Sequence, residues 1–220
     1  MKLAPLVPAV AAALALALPQ AAQAYGENSE GITPSNGAYA SGVIPGSGFE
    51  VVAGYAWAVQ ADATAANGKA LDLASGWYSP NFDNTINQGS STVRSVQTFD
   101  LVAGWQYTLS FDYSRQGFSA GNGPFASTVT ASVGGQSVSY SDVVGFFYGI
   151  DWKAGTLTWV QTADAVGVPL MFTAAGPAGY SGMNIDNIAF SGVAVVPEPS
   201  AWLLLAAGLL VLPRLRRRGA

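Results

Sequence analysis

The sequence contains neither cysteine nor histidine. Without cysteine, disulfide bonds, thiolate metal ligands and a cysteine nucleophile are excluded. Without histidine, the chain lacks the commonest general base and the commonest transition-metal ligand, and it cannot form a Ser-His-Asp or Cys-His arrangement. The enzyme chemistry that remains is that of paired carboxylates, which can cleave glycosidic bonds without histidine.

Basic residues are also scarce, and they are unevenly placed. The chain has nine lysines and arginines against thirteen acidic residues, but Lys2 and four arginines lie at the two ends. Between Tyr25 and Val196 four basic residues stand against twelve acidic ones, a net charge of −8. An acidic body has no basic surface for phosphates, so nucleic acid is not an expected partner.

The N-terminus has the features of a secretory signal peptide. Lys2 precedes an apolar run that ends at Leu18, and the pattern Ala22-Gln23-Ala24 follows. This order predicts an apolar signal helix within residues 1–24, cleavage by the export machinery after Ala24, and an exported protein. A buried N-terminal helix is the alternative interpretation.

The C-terminus carries a second, shorter apolar segment, within residues 195–220. Pro197, Glu198 and Pro199 precede an apolar helix predicted over 201–213, and an arginine cluster then ends the chain: Arg214, Arg216, Arg217 and Arg218. The apolar run is shorter than the roughly 20 residues of an ordinary membrane-spanning helix. Arginines after the run favour a cytoplasmic end, which leaves the body of the protein on the outer side of the inner membrane.

This combination of signal peptide, Pro-Glu-Pro motif, short apolar helix and terminal arginines resembles the PEP-CTERM proteins of Gram-negative bacteria. The resemblance covers about the last 25 residues. It implies that Pro197, Glu198 and Pro199 form a sorting motif recognised by an exosortase-like enzyme. It also implies an association with exopolysaccharide and biofilm in the cell envelope or outside the cell. A plain membrane anchor is the alternative.

Between the two ends, residues 25–194 show the pattern of strands. Trp105, Tyr107, Leu109, Phe111 and Tyr113 alternate with polar residues, as in a half-buried strand. The run 96–102 is predicted as the hairpin partner of this strand. Other strands are predicted where apolar residues alternate, around Leu71, Val129 to Val133, Val138, Leu157, Leu170 and Ile188. Gly134-Gly135, between the strands that contain Val133 and Val138, predicts a tight hairpin turn. No stretch shows helical spacing, so about seven to ten strands are expected in an all-β sandwich.

The order of short motifs in the body is similar to the jelly-roll modules of the galactose-binding-like and carbohydrate-binding class. The motifs are Gly48-Phe49-Glu50, Leu71-Asp72-Leu73, the run from Tyr107 to Asp112, and Ile185-Asp186-Asn187-Ile188. They span a core of about residues 42–192. The resemblance implies a jelly-roll β-sandwich and a structural calcium ion held by Glu50 and Asp186. The alternative for Asp186 is a turn that its side chain caps through the local backbone.

Aromatic residues in loop-like segments are candidates for sugar binding: Trp77, Tyr78, Tyr148 and Trp152. Sugars stack on flat rings while nearby polar groups set their orientation. The alternative is that these rings close the ends of the sandwich, since large aromatic residues usually bury their area.

These observations lead to one main functional hypothesis and two alternatives. The main one is a non-enzymatic protein of the envelope or extracellular matrix that binds exopolysaccharide. A carboxylate-based glycosidase or lyase and a homotypic structural adhesin are the alternatives.

Overall fold

The computed structural model describes residues 23–27, 29, 31–32, 39–60, 68–74, 90–116, 125–144, 151–176 and 182–195. The strands within these ranges are β1 (Gln23–Glu27), β2 (Gly42–Val43), β3 (Phe49–Ala53), β4 (Trp57–Gln60), β5 (Lys69–Ala74), β6 (Ser90–Leu101), β7 (Trp105–Gln116), β8 (Phe125–Val133), β9 (Gln136–Val144), β10 (Lys153–Val160), β11 (Ala165–Ala175) and β12 (Gly182–Ala194). No helix occurs in these ranges, so the prediction of an all-β body is confirmed there.

The strands form two six-stranded sheets. In the first sheet the order is β10-β7-β12-β5-β4, and β1 also pairs with β12. In the second sheet the order is β2-β3-β6-β11-β8-β9. From β5 onward each strand enters the other sheet, except across the β8–β9 hairpin. Strands β5, β12, β7 and β10 thus lie opposite β6, β11, β8 and β9, which is the connectivity of an eight-stranded jelly roll.

Aromatic side chains fill the space between the sheets. The alternating row of β7 points inward, and Tyr107, Leu109 and Phe111 are buried, as the period-two pattern predicts. Phe111 meets Phe172 of the opposite sheet edge to face, with ring centroids 5.1 Å apart. Phe99 of the second sheet meets Phe190 of the first at 4.8 Å. The two sheets are therefore held together by direct ring contacts.

The predicted β8–β9 hairpin is confirmed. Val133 pairs with Gln136 across the two-residue turn Gly134-Gly135. Both glycines have positive φ, at 57° and 82°. Such a turn requires positive φ at both positions, which glycine adopts without steric cost.

The predicted hairpin between the run 96–102 and β7 is wrong. β6 pairs with β3 and β11 in the second sheet, whereas β7 pairs with β10 and β12 in the first. The chain crosses between the sheets at residues 102–105, where the amide of Trp105 donates to the carbonyl of Val102 at 3.2 Å. A tight turn and two alternating strands fit both a hairpin and a crossing. The pattern alone therefore did not decide between them.

Most of the predicted terminal segments lie outside the described residues. These include the signal helix, Ala22, the Pro-Glu-Pro motif and the arginine cluster, and all of them stay predictions. Ala24 lies within β1, and Tyr25, which would follow the predicted cleavage, packs against Phe99 at 5.5 Å. In the part of the chain that the structure describes, no helix has the length and apolar character needed to cross a bilayer.

Candidate functional site

The structure describes only one of the four aromatic residues predicted to bind sugar. Trp77, Tyr78 and Tyr148 lie outside the described residues. Trp152 is half-buried immediately before β10. Its indole Nε1 is buried and has no hydrogen-bond acceptor among the described residues. An indole N–H is a donor only, so this group lacks the partner that a buried tryptophan usually finds.

The two residues predicted to share a calcium ion lie in different sheets. Glu50 is on β3 of the second sheet, where Phe49 and Val51 on either side of it face the core. Its carboxylate forms an ion pair with Arg94, with Oε1 2.6 Å from Nε. Asp186 is fully buried in β12 of the first sheet. The described residues contain no group of three carboxylates suited to a metal, so calcium stays a prediction, testable by melting with and without a chelator.

A polar cluster occupies one end of the space between the sheets. The inward-facing rows of β7 and β9 are apolar in the middle of the sandwich and end in Arg115 and Asp142 respectively. Lys153 begins β10 and pairs with Tyr113 of β7. Asp142 pairs with Ser127 of β8. Four strands thus converge on this end, which we call the polar end: Tyr113, Arg115, Ser127, Tyr140, Asp142 and Lys153. Trp152 directly precedes Lys153 in the chain.

Asp142 and Lys153 form the ionic centre of the polar end. The Lys153 ammonium donates to Asp142 Oδ1 at 2.5 Å, and the amide of Val143 donates to the same oxygen at 2.8 Å. The bond to Asp142 raises the pKa of Lys153. Asp142 is nearly buried, while Lys153 keeps 40% of its side chain exposed. The pair therefore ties β9 to β10 and neutralises both charges.

Arg115 lies beside this pair without joining it. The residue is only 2% exposed, and its Nε and Nη1 are buried with no acceptor in the described part of the chain. Burial lowers the pKa of Arg115, and the charge of Asp142 partly opposes that effect. An arginine stays protonated under these conditions, so Arg115 is a buried cation with unused donors.

Two tyrosines line the same end. The rings of Tyr113 and Tyr140 stack with centroids 5.0 Å apart and planes 26° apart. The Tyr140 hydroxyl donates to the carbonyl of Thr156 at 2.9 Å and accepts from its amide at 2.8 Å. Tyr140 thereby covers the edge of β10 and links the two sheets. The stacked rings pack beside the charged residues of the polar end, where Tyr113 is buried and Tyr140 keeps part of its surface exposed.

Sequence reasoning did not identify Arg115, Asp142 or Lys153, because each is a lone charged residue without a recognisable motif. The alternation of inward-facing and outward-facing residues along β7 and β9 contained a signal for two of these residues. Arg115 continues the inward row of β7, and Asp142 continues the inward row of β9 after Tyr140. A charge in an inward row needs a partner, and that requirement marks such a position as unusual.

Comparison with known proteins gives only distant likenesses. No family model matches the chain, and no curated protein matches it. An arabinose-bound α-L-arabinofuranosidase aligns over 76% of this chain and 25% of its own length, with 13% identity and a TM-score of 0.48. This chain thus spans about a quarter of that enzyme.

Two smaller structures align over most of their own length. A cyclase from Fischerella sp. aligns over 77% of this chain and 96% of its own, with 14% identity and a TM-score of 0.47. A xylan-binding domain from Paenibacillus barcinonensis aligns over 78% and 95% respectively, with 11% identity and a TM-score of 0.39. At this distance the likenesses carry no argument about function.

Proposed function

We propose that this protein is a non-enzymatic glycan-binding protein of the bacterial cell envelope or extracellular matrix, and that the polar end is its binding site. One observation carries the proposal. Two residues of the polar end, Arg115 and Ser127, keep buried polar atoms without a partner among the described residues, and so do Ser114 and Trp152, which directly adjoin the polar end in sequence. Buried polar groups in native proteins are nearly always hydrogen-bonded, so such a concentration calls for an external partner.

The chemistry of these groups fits a sugar. Hydroxyl groups both donate and accept, so a polyhydroxylated ligand can satisfy groups such as the Ser127 hydroxyl or the Trp152 N–H. The partly exposed ring of Tyr140 provides an apolar surface of the kind that the faces of sugar rings contact. Asp142 is engaged by Lys153 and Val143, so it is held as a structural carboxylate, which favours binding over acid–base chemistry.

Binding of the purified full-length chain to a panel of neutral and acidic polysaccharides tests the proposal, for example by affinity gel electrophoresis. Trp152→Ala is expected to weaken binding about tenfold or more, because a buried tryptophan anchor contributes strongly to an interface. Trp152→Phe keeps a ring but not the N–H, and its affinity is expected to lie between those of the wild type and Trp152→Ala. Val166→Ala is the control, since Val166 is 82% exposed at the opposite end of the sandwich.

Two outcomes of this experiment decide against the proposal. If the wild-type chain binds no polysaccharide of the panel, the glycan-binding function is refuted. If the chain binds but Trp152→Ala and Val166→Ala bind equally well, the site lies elsewhere in the protein.

The proposed location rests on the two terminal segments. An N-terminal signal and a Pro-Glu-Pro tail would carry the domain across the inner membrane and present it to an exosortase-like enzyme. The intact mass of the protein isolated from its own host tests this route. Loss of residues 1–24 together with the segment after the Pro-Glu-Pro motif is the expected result. A retained C-terminus would mean that the tail is an anchor.

A further inference from the structure

At the polar end, the guanidinium of Arg115 is the group whose burial without a partner costs the most free energy. A buried charge is costly unless it is paired and hydrogen-bonded, and the cost is higher for a group with several donors than for a hydroxyl or an indole N–H. Arg115 is 2% exposed, and neither of the two ion pairs in the described part of the chain includes it. A sugar hydroxyl would satisfy one donor but would add no negative charge beside the guanidinium.

The neighbouring acid, Asp142, does not form a hydrogen bond or ion pair with the Arg115 guanidinium. Asp142 Oδ1 accepts from the Lys153 ammonium and from the Val143 amide, and no hydrogen bond joins Asp142 to Arg115. Because Lys153 neutralises Asp142, one positive charge remains at the polar end. Asp151 is the other nearby acid, but it is exposed to solvent, and its charge acts on Lys153, whose pKa it helps to raise.

We infer that the ligand of the polar end carries a carboxylate, as the uronic acid residues of acidic polysaccharides do, and that this carboxylate binds Arg115. The inference rests on the proposed glycan-binding function and narrows its substrate class. A planar carboxylate matches the planar guanidinium and can accept two parallel hydrogen bonds from it. Such a ligand would supply both the missing acceptors and the missing negative charge.

Because the protein is acidic overall, a negatively charged ligand is expected to bind selectively at the polar end. Between Tyr25 and Val196 the chain has only four basic residues, and two of them, Arg115 and Lys153, are at the polar end. Elsewhere the net negative charge repels a polyanion, since like-charged surfaces disfavour association. An acidic polysaccharide would therefore be held at one site rather than along the whole surface.

The test compares one polysaccharide in two chemical forms. The full-length chain is titrated with alginate, a polyuronate, and with the same alginate after its carboxyl groups have been reduced to primary alcohols. Wild-type protein is expected to bind the native form at least about tenfold more tightly, as for the loss of a charge-assisted hydrogen-bonded pair. This comparison uses unaltered protein and does not depend on whether a variant folds.

A matched pair of variants locates the effect. Arg115→Gln is expected to lose the preference for native alginate. Arg94→Gln carries the same change in an arginine whose side chain is 49% exposed and paired with Glu50 on the outer face of the second sheet, and it is expected to keep the preference. Without ligand, Arg115→Gln is expected to melt at or above the wild-type temperature, because it removes a buried charge that Asp142 compensates only in part.

The outcomes separate this inference from the proposed function. Equal binding of native and carboxyl-reduced alginate, or an unchanged preference in Arg115→Gln, overturns the carboxylate inference and leaves glycan binding intact. The second result is the one expected if water alone satisfies Arg115. Binding of neither form, together with none of a neutral panel, refutes glycan binding itself.

Discussion

Gly192 lies in β12 directly under the aromatic side chains of Trp105 and Tyr107. A methyl group built on its Cα would lie 2.4 Å from Tyr107 Cε1 and 3.3 Å from Trp105 Cε3. The first distance is far inside the carbon–carbon contact distance of about 3.5–4.0 Å. Gly192→Ala therefore cannot be accommodated unless the Tyr107 ring moves.

The Tyr107 ring has little freedom to move. Phe190 stacks on it at 5.6 Å with a 5° tilt, and Trp159 stacks at 5.4 Å. Its hydroxyl accepts a hydrogen bond from the amide of Val102 at 2.7 Å, at the crossing between the sheets. Displacing the ring would disturb both stacking contacts and this bond. We expect Gly192→Ala to destabilise the fold by about 2 kcal/mol, in the range of overpacked cores.

Thermal and urea denaturation of the full-length chain measure this effect. For a domain of this size 1 kcal/mol corresponds to roughly 2–4 °C, so a fall in Tm of about 4–8 °C is expected. Gly26→Ala is the matched control, because Gly26 is also a strand glycine, in β1, and a methyl group there would meet no atom within 4 Å. It should be neutral or slightly stabilising. If Gly192→Ala melts within a degree of Gly26→Ala, the close packing described for Tyr107 is wrong.

Three further substitutions test other parts of the structure. Tyr140→Phe removes both hydrogen bonds to Thr156 and should cost about 1 kcal/mol in urea denaturation, whereas an unchanged midpoint would mean that the sheets are not linked there. Burial raises the pKa of Asp72 to about 7, so the folded state holds this proton to higher pH than the unfolded state does. The free energy of unfolding should therefore fall as pH rises from about 4 to about 7 and then level off. Asp72→Asn should remove this loss and stabilise the protein by roughly 1–3 kcal/mol at pH 8. Identical pH profiles for the two proteins would contradict the burial of Asp72. Glu50→Gln breaks only the partly exposed pair with Arg94 and should change the free energy of unfolding by less than about 1 kcal/mol, so a larger loss would show that Glu50 has another role.

Local patterns predicted the strands with the strongest signals. The alternation from Trp105 to Tyr113 appears as β7, and Gly134-Gly135 appears as the β8–β9 turn. Strands β1 to β4 were not predicted individually, because they have only two to five residues each and show little alternation. Twelve strands are therefore present in the described ranges, against about seven to ten expected.

The candidate site was predicted only in part. Trp152 was identified from its aromatic character, and it directly precedes Lys153 of the polar end. The role of Arg115 depends on Asp142 being satisfied by Lys153, and these three residues come from three strands. No spacing along the chain encodes that arrangement, because it arises from the packing of the sheets. Glu50 and Asp186 were predicted to share a calcium ion because of a resemblance, but that resemblance did not indicate which sheet each residue joins. The structure places them in different sheets.

The sequence alone determined the all-β class and the exclusion of histidine and cysteine chemistry, and it also predicts a route of export. These properties follow from composition, from period-two alternation and from contiguous terminal signals, all of which are local. Only the tertiary structure decided that β6 and β7 lie in opposite sheets, and that Arg115 is buried without an acceptor among the described residues. Strand partners and buried charges depend on contacts between residues distant in the chain, and a period-two pattern contains no information about which sheet a strand joins.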